Sequence, residues 1–95
     1  MEGGAFLNVP DYGRLLAMHL AGGRCGGTQV LSASALEQMY ADALEPFGGE
    51  TFTGGGYGMG WWIDRATGLL TDPGAYGSVP WLDLEHGFGA YLVIE

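Results

Sequence analysis

Apolar side chains recur along this chain first at helical spacing and then in alternation, and the change of period divides it into a helical half and a strand half. Tyr12, Leu15, Leu16, His19 and Leu20 fall three and four residues apart, which marks one stripe of a helix. Asn8 stands ahead of the stripe as an N-cap, Pro10 falls in the first turn where a missing N–H costs nothing, and Asp11 suits the positive helix end. Gly22-Gly23 stops the element, so the pattern predicts a helix over 9–21. A second start follows at Ser32, with Leu31 placed to staple onto Leu36. Leu36, Met39, Tyr40 and Ala43 continue that face, and Pro46 with Gly48-Gly49 ends it near residue 44.

Beyond Gly54-Gly55-Gly56, Tyr57, Met59, Trp61 and Ile63 alternate with Gly58, Gly60, Trp62 and Asp64, the signature of a strand with one large-residue face. Arg65 to Gly68 reads as a turn, and 69–72 returns as a short strand before Pro73-Gly74 interrupts it. Another strand is predicted over 77–82, where Pro80 favours an edge or a bulge. Asp83 to Gly87 connects it to a last strand over 88–94. Two helices followed by a three-stranded antiparallel meander give an α+β fold. The 95 residues form one domain, with a helical part over about 1–47 and a strand part over about 56–95.

Charge and composition narrow the partners. Eleven acids oppose three arginines, no lysine is present, and the formal net charge is −8. Nucleic acid and anionic membrane surfaces are therefore excluded as partners, since both require a basic footprint. No apolar run approaches the ~20 residues that span a bilayer, and the first residues lack the pattern of a signal peptide. The chain is 47% hydrophobic, with three Trp, five Tyr and four Phe, more than a core of this size hides easily. The outlets for that excess are a second copy of the chain or the remainder of a larger fold.

Local chemistry is sparse. Cys25, the one cysteine, has no partner for a disulfide or a metal pair and reads as a loop thiol between glycines. The glycines of 54–60 are followed by neither Lys-Ser nor Lys-Thr, and by a strand rather than a helix, so they form no phosphate cradle. Asp64, Asp72, Asp83 and Glu85 lack calcium-loop spacing and read as solvated turn carboxylates, so no metal and no other cofactor is expected. His19 belongs to the helical stripe and His86 to a turn beside Glu85. Tyr57, Trp61, Tyr76 and Trp81 form an aromatic set that either packs or lines a small-molecule pocket.

Taken in order, these segments resemble the serine β-lactamase and penicillin-binding-protein-like hydrolases, in their class C and esterase branch. The resemblance rests on Gly3-Gly4-Ala5-Phe6 before a helix ending in Gly22-Gly23, on Val30-Leu31-Ser32, and on Tyr57-Gly58-Met59-Gly60-Trp61-Trp62. It continues through Asp72-Pro73-Gly74-Ala75-Tyr76-Gly77-Ser78, Asp83 to Gly87, and Ala90 to Ile94. The resemblance implies that Asp72, Pro73 and Gly74 occupy the family's third-motif triplet, with Ala75 offering an oxyanion-hole N–H. Asp72 replaces the family's cation there, which disfavours a carboxylate-bearing β-lactam and leaves an ester less affected.

The family's nucleophile is a serine with a lysine three residues later, and a serine hydroxyl is a weak nucleophile without such a base. With no lysine in the chain, neither Ser32 nor Ser34 supplies that motif. The resemblance thus implies the C-terminal module of an acyl hydrolase, inert by itself. The alternative is a small self-associating binding module whose aromatic set holds an apolar or carbonyl-bearing ligand.

Overall fold

Helix α1 spans Val9–Leu20 and begins where the sequence places its cap, the Asn8 side chain accepting from the Asp11 backbone N–H at 2.8 Å. The computed structural model describes residues 5–94, so Gly3 and Gly4 of the resemblance lie outside the described residues. After α1 the chain makes a small hairpin, β1 (Arg24–Cys25) with β2 (Thr28–Gln29), closed by Gly26-Gly27. Helix α2 spans Ala33–Tyr40, and Ser32 caps it by accepting from the Ala35 N–H at 3.1 Å. A single 3-10 turn, Glu45–Phe47, follows.

Five short strands then form one antiparallel sheet in sequence order: β3 (Gly56–Tyr57), β4 (Trp62–Ile63), β5 (Leu70–Thr71), β6 (Ser78–Asp83) and β7 (Phe88–Val93). The α+β class stands, but the meander has five strands where the sequence pattern gives three. One extra strand is the short return at 69–72, which joins the sheet as β5, and the other comes from 57–63, which is a tight hairpin and not one strand. Gly60 takes a φ of +78°, and the Gly58 N–H donates to the Trp61 carbonyl at 2.8 Å, so the chain reverses between Tyr57 and Trp62.

Helix α2 also ends four residues earlier than its apolar face suggests. Asp42 draws the chain out of the helix, its Oδ1 accepting from the Leu44 and Glu45 N–H groups at 3.0 and 3.2 Å. A further difference concerns Pro80, which sits inside central strand β6 and not on an edge. Its missing N–H falls where β5 would continue past Thr71, so the pairing with β5 stops there. The Thr71 hydroxyl donates to the Pro80 carbonyl at 2.7 Å, and the chain leaves the sheet at Asp72.

The core lies on one face of the sheet. Leu16 of α1 meets Trp61, Leu70 and Leu82, with Tyr12, Leu20, Met39, Tyr40, Ile63 and Tyr91 packed around them. Gly89 faces α1 across the core, with Leu16 and Leu20 at ordinary contact distance from where a Cβ would stand. The opposite face has no second layer among the described residues. Trp62, Thr71, Trp81 and Ala90 form a row across it by register, with Val79 and Leu92 in the next row.

Candidate functional site

The exit of β5 is the position where the resemblance places its third motif. Asp72, Pro73, Gly74 and Ala75 are all exposed there, at the rim of the sheet. Two backbone bonds shape the turn: the Gly74 N–H donates to the Ser78 carbonyl at 2.7 Å, and the Gly77 N–H to the Gly74 carbonyl at 3.1 Å. Gly77 adopts a φ of +90°, and a Cβ there would run into the Ile94 carbonyl, so glycine is required. The Ala75 N–H makes no hydrogen bond among the described residues and is open to an incoming acceptor.

Behind the turn, three hydroxyl side chains converge. Ser78 Oγ and the Tyr91 hydroxyl share a hydrogen bond of 2.9 Å, and Tyr91 stacks on Tyr12 with ring centroids 4.3 Å apart and planes 9° apart. The groove beside them, about 490 Å³, is walled by Leu7, Asn8, Tyr12, Ser78 and Tyr91. Burial, and then the nearby Asp72 carboxylate, raises the Tyr12 pKa and keeps its proton in place. Asp72 is exposed as a residue, yet partial burial of its carboxyl raises its own pKa. This corner can donate and accept hydrogen bonds, but the Ser78 hydroxyl bonds the Tyr91 hydroxyl and neither a carboxylate nor an imidazole.

The imidazoles are engaged elsewhere. His19 is buried at 6% exposure, and its Nδ1 lies 2.5 Å from the Tyr40 hydroxyl, while its ring stands edgewise to Trp61 at 5.5 Å. Burial lowers the His19 pKa and pushes that of Tyr40 up to about 12. His86 bonds Asp83 at 2.9 Å in its turn. Neither imidazole is hydrogen-bonded to a serine. Ser32 is spent as a helix cap, and Ser34 lies 3.2 Å from it.

The four aromatic candidates do not converge on one pocket. Trp61 is buried in the core, on the α1 side of the sheet. Tyr57 and Trp81 belong to the opposite face, where Tyr57 meets Trp62 edge-on at 5.9 Å. Tyr76 stands alone in the turn at 97% exposure.

What the sequence pattern misses is polar and long-range. Asp42 Oδ2 accepts from Arg65 Nε at 2.7 Å, and Arg65 also reaches the Gly49 carbonyl at 2.6 Å. Arg65, first among several donors, holds the Asp42 carboxyl down at about 2. The pair is 23 residues apart, and the only sequence hint is that three arginines serve the whole chain. The Tyr12–Tyr91 stack has no local signature, because it joins a helix to the last strand.

No protein-family model and no curated protein matches the chain. Among solved structures, it is similar to the crystal structure of a "putative beta-lactamase" from Bacteroides dorei DSM 17855, with a TM-score of 0.67 and 28% identity. The alignment covers 90% of this chain and 30% of that one. The fold is β-lactamase-like. This β-lactamase-like chain thus spans less than a third of its structural neighbour, and the likeness takes in both the helical part and the sheet.

Proposed function

We propose that the chain is the sheet-side module of a β-lactamase-like acyl hydrolase, inert by itself, which contributes the Asp72–Ala75 turn to an acyl site. The unengaged Ala75 N–H at the exit of β5 carries this reading, because a backbone donor at the rim of a strand is what an oxyanion site needs. The similarity of nearly the whole chain to part of a β-lactamase-like neighbour supports it. The nucleophile and its base are supplied by polypeptide outside residues 5–94, since no serine here is hydrogen-bonded to an imidazole or a carboxylate. The substrate class that suits Asp72 is an ester or other neutral acyl compound, because a second carboxylate is repelled.

The purified chain is expected to show no turnover of a chromogenic ester or β-lactam, and no acyl adduct on Ser32, Ser34 or Ser78 by mass spectrometry. Turnover that follows the chain through chromatography overturns its inertness. The acyl-site role is read in a chimera, with these residues replacing the matching segment of the structural neighbour. Ester hydrolysis by the folded chimera should fall on the order of 10²–10³-fold on Ala75→Pro, which deletes the N–H. A chimera whose hydrolysis ignores that substitution removes the turn from the site.

A further inference from the structure

We infer that the His19–Tyr40 bond is a pH-sensitive latch between α1 and α2, closed while the imidazole is neutral and released when it is protonated, so that mild acid loosens α2 ahead of the sheet. The inference goes beyond the acyl-hydrolase reading and rests on contacts within this chain, so either can fail without the other.

The two helices meet at few points. Leu36 is the buried residue of α2, and Met39 and Tyr40 are only partly buried against the core. A groove of about 510 Å³ runs between the helices, walled by His19 and Leu20 on one side and by Ala33, Leu36, Glu37 and Tyr40 on the other. An interface with such a gap forgoes much of the dispersion that close packing supplies. His19 to Tyr40 is the one side-chain hydrogen bond that joins α1 to α2 among the described residues. The backbone ties of α2 lead elsewhere: the Leu31 N–H ahead of it donates to the Gly23 carbonyl, and the Met39 carbonyl at its end accepts from the Met59 N–H.

The direction of the bond follows from its two groups. Burial pushes the Tyr40 pKa up to about 12, so the hydroxyl keeps its proton and donates, Nδ1 accepts, and the imidazole's own proton sits on Nε2. A second proton on the ring goes to Nδ1, and both partners of the bond then point a hydrogen at each other. The hydroxyl can turn to accept, but its own hydrogen then has no acceptor among the described residues. The imidazolium is also stranded from water, since His19 is 6% exposed and Trp61 stands edge-on to its ring.

No neighbouring charge offsets that cost. On the elements around His19 the ionisable groups are Glu37 and Tyr40 of α2, Arg24 and Cys25 of β1, Asp42 held by Arg65, and Asp83 bonded to His86. Glu37 is exposed, none of the carboxylates is bonded to the imidazole, and burial is the cause that lowers the His19 pKa. Opening the groove returns the ring to water, where its pKa recovers to about 6.5. The latch is therefore closed above that value. The open form gains population as the pH falls beneath it, until the closed form is itself protonated.

Amide protection in the native chain tests the latch, with each exchange rate corrected for its intrinsic dependence on pH. Between pH 7 and pH 4, protection at Glu37, Gln38, Met39 and Tyr40 should fall about tenfold, while the bonded amides of the β6–β7 ladder keep theirs. The midpoint of that fall should coincide with the titration of the His19 ring read by NMR, and not with that of His86. The range lies above the Asp42 value of about 2, so that carboxylate stays charged throughout. His19→Gln keeps an acceptor without a titrating group and should hold α2 protection constant across the range. Tyr40→Phe removes the hydroxyl and should show at pH 7 the low protection that the native chain reaches at pH 4. Equal α2 protection at both ends of the range in the native chain overturns the inference, whether or not the variants fold. So does a loss shared equally by the β6–β7 ladder, a folded His19→Gln chain that still loosens in acid, or a folded Tyr40→Phe chain with native protection at pH 7.

Discussion

The sheet has two edges, and the chain treats them differently. At β3 and the turn after it the backbone is covered by the end of α2 and the segment that follows: the Ala43 N–H donates to the Tyr57 carbonyl at 2.8 Å, the Tyr57 N–H reaches Asp42 Oδ1 at 3.4 Å, and the Met59 N–H donates to the Met39 carbonyl at 3.0 Å. Arg65 fastens the cover by gripping both Asp42 and the Gly49 carbonyl. At β7 the strand is three times as long, and its outward groups meet nothing among the described residues. A two-residue strand is stable at one edge because a carboxylate-centred loop completes its hydrogen bonding. The longer strand is held from its other side by α1 and β6, and its outward groups are unpaired among the described residues.

The largest expected effect tests how closely that cover is seated. A Cβ on Gly58 would run into the Met39 carbonyl oxygen, and the Ala41 carbonyl lies 3.1 Å from the same point. Both obstacles are backbone, so Gly58→Ala must push the end of α2 away from the β3–β4 turn. The expected loss is about 3 kcal/mol, read as a shift in the urea midpoint. A loss below about 0.5 kcal/mol would mean that the cover floats, and the contrast between the edges would disappear.

A smaller, pH-dependent effect separates the edges by chemistry. Asp42, held at about 2 in the fold against 3.8 in an unfolded chain, contributes stability that is complete above the higher value. That contribution is lost as the pH falls through the lower one. Melting temperatures from pH 5 to pH 2 should therefore drop more steeply for the native chain than for Asp42→Asn, which starts lower. Exchange at the Tyr57 and Met59 amides should quicken over the same range. His19 acts in a higher window. Burial lowers its pKa below 6.5, so stability begins to fall as the pH drops under 6.5 and continues to its depressed value. His19→Gln, which cannot titrate, should flatten only that upper window.

Much of the open edge was legible in the sequence, and almost none of the covered one. The caps Asn8 and Ser32, the stop at Gly22-Gly23 and the last two strands are local patterns, and local patterns survive without tertiary knowledge. The β3–β4 hairpin was hidden because alternation of glycine with large residues describes an extended strand equally well. The positive φ of Gly60 and the Gly58–Trp61 backbone bond show that the chain turns there. Cys25-Gly26-Gly27-Thr28 did carry a readable signal, since two glycines between short flanks suit a two-residue hairpin turn. The third-motif positions were placed by resemblance, and the structure puts Asp72 to Ala75 on one exposed turn. The aromatic set does not converge, because Trp61 packs into the core while Tyr57 and Trp81 fall on the opposite face of the sheet.

The smallest expected effect is the counterpart of Gly58→Ala on the other edge. A Cβ on Gly89 would lie 3.4 Å from Leu16 Cβ, 3.5 Å from the Trp81 carbonyl oxygen and 3.6 Å from Leu20 Cδ1, all ordinary contact. Gly89 has no positive φ, so alanine fits its backbone, and it restricts the unfolded chain more than glycine does. Gly89→Ala should therefore change stability by no more than about 0.5 kcal/mol, with a gain as the expected sign. A loss above about 1 kcal/mol would place α1 nearer to β7 than these distances allow. Both edges would then be crowded, and their difference would be one of length alone.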